Sequence, residues 1–222
     1  MKRWHFLMLI PALVLAALVM PSSARAAETS ELSFKGHIVG ASFSASEGQC
    51  LVTSMDVQAA EGTFDDASGA PAPYRKVRIS VFRFDMCQDA VVLNVEGIVP
   101  FDVQAFKADN QLHSASLNTT ARICGGGPEP CFDISINLTW MGIGGITSQE
   151  LQSRITSPTC TTQMHTTESD RSAVVSGSIS SDVLTLNPAV TMFGVLALAH
   201  NRRIVMRGED CLSEGGGGAF PI

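Results

Sequence analysis

The sequence predicts an all-β domain: an antiparallel β-sandwich stapled by disulfides, with at most one or two short helices. Three observations carry this. Residues 132–140 alternate strictly between apolar and polar side chains. Six cysteines follow a leader of the kind that directs export. Short runs rich in Val, Ile, Thr and Phe are divided by Gly-, Pro- and Ser-rich breaks, with almost no long helical pattern, as a sandwich or barrel requires.

Residues 1–26 read as a cleavable secretory signal peptide. Lys2 and Arg3 precede an apolar run from Phe6 to Met20 broken only by Pro11, and Ala24-Arg25-Ala26 supplies the small residues of a cleavage site. The run is short for a membrane span, which asks for about 20 residues. The first cysteine is Cys50, so no lipid attachment is expected near the cleavage point. Cleavage is expected to leave a single β-rich domain over 27–213 and a flexible Gly-rich tail over 214–222. Loss of Lys2, Arg3 and Arg25 reduces 15 basic residues to 12 against 21 acidic ones, a net charge of −9. Nucleic acid and anionic lipid both call for clustered positive charge. Neither is expected as a partner, and no membrane association is expected after cleavage.

All six cysteines lie in the expected mature chain. An even count in an oxidising compartment predicts three disulfides. Cys124 and Cys131 enclose Gly-Gly-Gly-Pro-Glu-Pro between two strand-like runs, which places a bridge across a hairpin tip. Sequential pairing of the rest gives Cys50–Cys87 and Cys160–Cys211. No cysteine pair has zinc-knuckle spacing, and no histidine stands near one at ligand spacing. No metal and no cofactor are expected.

The period-two run places Phe132, Ile134, Ile136, Leu138 and Trp140 on a buried face and Asp133, Ser135, Asn137 and Thr139 on a wet one. Residues 114–123 alternate in the same way and complete the hairpin. Further strands are expected at 32–39, 51–59, 77–84, 90–98, 172–180, 190–197 and 203–207. Residues 77–84 carry Val77, Ile79 and Val81 on one face and Phe82 and Phe84 on the other, which predicts a central strand covered on both sides. Thr147-Ser-Gln-Glu150 has the order of a capping box. With Leu151 and Ile155 four apart, it predicts a short helix. Residues 156–169, dense in Ser and Thr, read as a loop tied down by Cys160.

No catalytic motif is present: there is no Gly-x-Ser-x-Gly elbow and no His-Glu-x-x-His. His165 is expected on the surface of the polar loop, His37 and His200 at strand edges. Asp65-Asp66 and Glu209-Asp210 are adjacent acid pairs without the ligand spacing of a calcium loop. The loop at 125–128 has no Lys-Ser/Thr after it and is no phosphate cradle. Asn118 and Asn137 fit the glycosylation acceptor pattern. Trp140 is buried by its pattern and Tyr74 stands alone, so an aromatic platform for sugars is not evident. The expectation is a secreted or periplasmic, non-enzymatic protein that binds, adheres or supports an extracytoplasmic partner. The alternative is a secreted hydrolase whose site is assembled from scattered residues. Convergence of His165, Asp65, Asp66, Glu209 and Asp210 in one pocket would favour the hydrolase.

Overall fold

A computed structural model describes residues 29–66, 70–124, 131–158, 160–182, 185–186 and 192–208. The expected signal peptide, the Gly-rich tail and the tip of the 124–131 hairpin lie outside these residues. Among the described residues the only regular elements are strands. They are β1 (Thr29–Glu47), β2 (Leu51–Asp65), β3 (Ala72–Asp85), β4 (Ala90–Pro100), β5 (Phe106–Ala108), β6 (Ser114–Cys124), β7 (Cys131–Gly142), β8 (Thr147–Thr156), β9 (Cys160–Ser181), β10 (Thr185–Leu186) and β11 (Met192–Gly208). Every pairing is antiparallel. The order is β4-β3-β2-β1-β11-β9-β7-β6-β5, with β8 and β10 also on β9.

One continuous sheet supplies both layers of the fold. One wall, β4-β3-β2-β1, faces another, β7-β6-β5, across the core, and β11 and β9 join the two in the strand order. That core includes Val39, Met55, Val57, Ile79, Leu117, Ile134, Ile136, Leu138 and Trp140. The walls meet where β4 passes β6: a Cβ placed on Gly97 would lie 2.8 Å from Ile123 Cγ2. Phe101 and Phe106, with ring centroids 5.8 Å apart, join Leu112 in the same core.

The hairpin follows its sequence pattern. β6 pairs with β7 in register from Ser114–Met141 to Cys124–Cys131, and the five alternating apolar residues of β7 are all buried. Cys124 and Cys131 are bridged, as are Cys50 and Cys87. Cys160 is also disulfide-bonded, while its expected partner Cys211 lies outside the described residues.

Four expectations are corrected. The capping-box segment is no helix: 147–156 form β8, whose backbone groups pair with residues 161–170 of β9. The expected loop at 156–169 is largely strand, because its β-branched threonines suit a pleated ladder between β8 and β11. The described part of the run expected at 190–197 and the run at 203–207 are one strand, β11, which begins at Met192 and carries a bulge between Ala199 and Asn201. β3 is covered on one face only: Val77, Ile79 and Val81 are buried, but Phe82 is 39% exposed and stacks on Phe84 at 6.3 Å.

Past the core the long strands continue as an arm built from β1, β2, β11, β9 and β8, with the start of β3 laddered to β2. Where core becomes arm, Gly36 pairs with Gly62. A Cβ on Gly36 would lie 2.5 Å from the Gly62 Cα, and nearer still to the Glu61 carbonyl oxygen. Here the apolar face changes sides. Phe34, Ile38, Ala60, Ala197 and Ala199 form a second cluster, on the face opposite Val39 and Val57 by strand alternation. The ring of Tyr74 packs edge-on against Phe34 at 5.7 Å, and burial pushes its hydroxyl pKa up to about 12.

Candidate functional site

Because the apolar side chains of the arm occupy one face, its other face is left polar. Direct ladder partners point to the same side, so register alone assembles the surface. One row reads Gln152, His165, Arg203, Ser33 and Asp65 across β8, β9, β11, β1 and β2. The next reads Arg154, Gln163, Val205 and Glu31, and the last Thr156, Thr161, Arg207 and Thr29. A shallow groove of about 550 Å³ runs over this surface. Its lining holds Arg154, Arg203, Arg207 and His165, together with Gln152 and Gln163, and contains no acidic residue.

Two acids flank the groove. Glu31 takes Arg203 in a two-pronged pair, with Nε 2.6 Å and Nη2 2.7 Å from its carboxylate oxygens. This contact raises the Arg203 pKa. Glu150 Oε1 lies 2.9 Å from His165 Nε2 and accepts from Gln152 Nε2 at 3.0 Å. The His165 hydrogen bond lowers the Glu150 pKa most, and Gln152 and the His165 charge add to it. Arg154 and Arg207 are exposed and have no ion-pair partner among the described residues.

His165 and Asp65, both singled out in the sequence, therefore share a row. Three ladder steps, about 14 Å, separate their backbones, so they do not form a catalytic pair. Asp66 follows the end of β2, and Glu209 and Asp210 lie outside the described residues. His165 stands in a strand, where the sequence suggested a loop. His37 sits in central β1 between β2 and β11, where an edge was expected, and its Nε2 is buried without a hydrogen-bond partner among the described residues. Burial lowers its pKa, against a side-chain hydrogen bond with Asn110 and the charges of Glu61 and Asp109.

His200 sits in the β11 bulge, with Nε2 3.1 Å from the Ser169 hydroxyl oxygen. Sulfur and oxygen atoms of Cys50, Asp85 and Cys87 lie within 4.8 Å of one another. The two sulfurs are bonded to each other, which removes them as thiolate ligands. Asp85 instead accepts the N–H groups of Cys87 and Gln88 at 2.8 and 3.0 Å. Asn118 and Asn137 are direct partners on the wet face of the hairpin. No described helix is long and apolar enough to cross a membrane.

The groove residues come from segments about fifty positions apart, and sequence reasoning missed Arg154, Arg203 and Arg207. The available signal was the repeat of arginine at 203 and 207 in a strand-like run, where even spacing puts both on one face. No family model matches the chain, and no curated protein does. Among solved structures it is similar to a Nitrosomonas europaea protein described as a candidate AttH, at 11% identity and a TM-score of 0.26. The match covers 93% of this chain and 60% of that one, so the chain spans 60% of the length of the protein it matches. That likeness is too slight to bear on function.

Proposed function

We propose that the protein is an exported, non-enzymatic binding module of the extracytoplasmic space, with the polar face of its arm as the binding surface. The observation that carries this is the composition of the groove: three arginines, a histidine and two glutamines, without an acid, on an open sheet face. Catalysis by acid and base asks for groups converging on one substrate atom inside a cleft. Spread over three strands, the groove side chains suit contact with an extended partner. The bridged cysteines and the leader support an oxidising location.

The contact between Ser169 and His200 gives the hydrolase reading its one specific support, since it pairs a nucleophile with a base. The test is turnover of chromogenic ester, glycoside and phosphate substrates by the secreted protein and by Ser169→Ala and His200→Ala. The binding module predicts equal background from all three. Turnover abolished by either substitution overturns it.

A further inference from the structure

We propose that the groove over β8, β9 and β11 binds a linear acidic polysaccharide, whose carboxylate or sulfate groups are taken by Arg154 and Arg207. This rests on the binding-module reading and names its ligand. The charge pattern selects an anion. Arg203 is neutralised by Glu31, whereas Arg154 and Arg207, without an ion-pair partner among the described residues, offer guanidinium groups with the fork geometry that oxyanions fit. Gln163, on the strand between them, and Gln152, one row beyond Arg154, add amide groups to the lining, the complement of sugar hydroxyls.

Geometry selects a chain over a small ion. Arg154 and Arg207 lie two strands and one row apart, about 12 Å between backbones at ordinary strand spacings. The groove is open, so a lone anion stays hydrated and each contact is weak. A polymer carrying repeated charges engages both arginines at once and gains from the linkage.

Charge density then separates polymers. Duplex DNA carries one negative charge per 1.7 Å or so of axis, and this chain is itself net −6, so a dense polyanion is repelled by the rest of the surface. No Phe, Tyr or Trp lines the groove to stack unpaired bases. A polysaccharide with one acid per sugar or fewer meets the two arginines without that penalty.

The test is affinity electrophoresis of the secreted protein at low salt through gels containing polygalacturonate, κ-carrageenan (one sulfate per two sugars), neutral dextran or a single-stranded oligonucleotide. Two variants with the same charge change are compared, Arg154→Glu/Arg207→Glu and Lys107→Glu/Arg122→Glu, each first shown to keep the wild-type thermal transition. Retention by polygalacturonate or κ-carrageenan is expected, and which gel retards more tells carboxylate from sulfate. It should weaken about tenfold in the groove variant, near 1.4 kcal/mol, stay unchanged in the control, and fade as salt rises. Equal loss in both variants, stronger retention by the oligonucleotide or neutral dextran, or no retention at all would overturn the assignment. The binding-module reading would still stand or fall separately, on the Ser169 and His200 turnover assay.

Discussion

The indole Nε1–H of Trp140 on β7 donates to the carbonyl oxygen of Gly40 on β1 at 2.8 Å, linking the two walls through the core. Room for the ring comes from Gly194, where a Cβ would lie 3.0 Å from Trp140 Cδ1. Trp140 is 0% exposed. Trp140→Phe keeps most of the ring but leaves a buried carbonyl short of a donor, at a cost of about 1–3 kcal/mol. Trp140→Ala should cost about 3–5 kcal/mol. Ser135→Ala, on the wet side of the same strand, should stay within about 0.5 kcal/mol. Urea denaturation of the three variants checks the ranking, and a Ser135 effect as large as that of Trp140 would refute the facing of β7.

The two described disulfides should differ in worth. Cys50–Cys87 closes a separation of 37 residues and Cys124–Cys131 one of 7. Chain entropy alone gives about 4 kcal/mol for the long loop and about 2 for the short one. Denaturant midpoints of Cys50→Ser/Cys87→Ser and Cys124→Ser/Cys131→Ser should fall in that order. A reversed order would show that the short bridge acts on the native hairpin more than on the unfolded chain.

Gly36 and Gly62 should tolerate no side chain. A Cβ on Gly62 would lie 2.8 Å from the Gly36 Cα, and closer to the Lys35 carbonyl oxygen. The obstacle is backbone, which cannot rotate away. Either Gly→Ala change should cost at least about 1–3 kcal/mol, the range for overpacking, although both replace glycine in a strand by a residue with better propensity. Thermal melts decide it, and a neutral Gly36→Ala would show that the strands can part there.

Acid should weaken the fold through His37. Its folded pKa lies below the ordinary 6.5, chiefly through burial, so below that pH the unfolded chain binds more protons than the native one. The contribution is complete above pH 6.5 and is lost as pH falls through the lowered folded value. His37→Gln should therefore flatten the dependence of stability on pH between about 7 and 5. Identical slopes for variant and wild type would remove His37 from the account.

The hairpin and its staple were legible because each rests on a local signal: strict alternation in 132–140, and two cysteines closing a Gly/Pro turn. β8 was misread for a reason of arithmetic. Leu151 and Ile155 stand four apart, one helical turn but also two strand repeats, and the alternation of Glu150, Gln152 and Arg154 with Leu151, Ser153 and Ile155 satisfies the strand alone. The first half of β9 hid because neither of its faces is strongly apolar, so no period appears in hydropathy. The groove was out of reach altogether. Its arginines are adjacent only through the registers of β8 with β9 and of β9 with β11, and register is a long-range property. The low basic count argued against a nucleic-acid surface but could not reveal where the few arginines gather.

β9 runs for 22 residues without a break, laddered to β8 and β11 in the arm and to β7 and β11 in the core. Arm and core thus share strands, and no linker joins them. Tension applied to the arm passes lengthwise along β9 and β11 into the body of the protein. Antiparallel ladder bonds lie across the strands, so such a pull loads many of them together in shear and does not peel them singly. Arm and core therefore answer a lengthwise force as one mechanical unit.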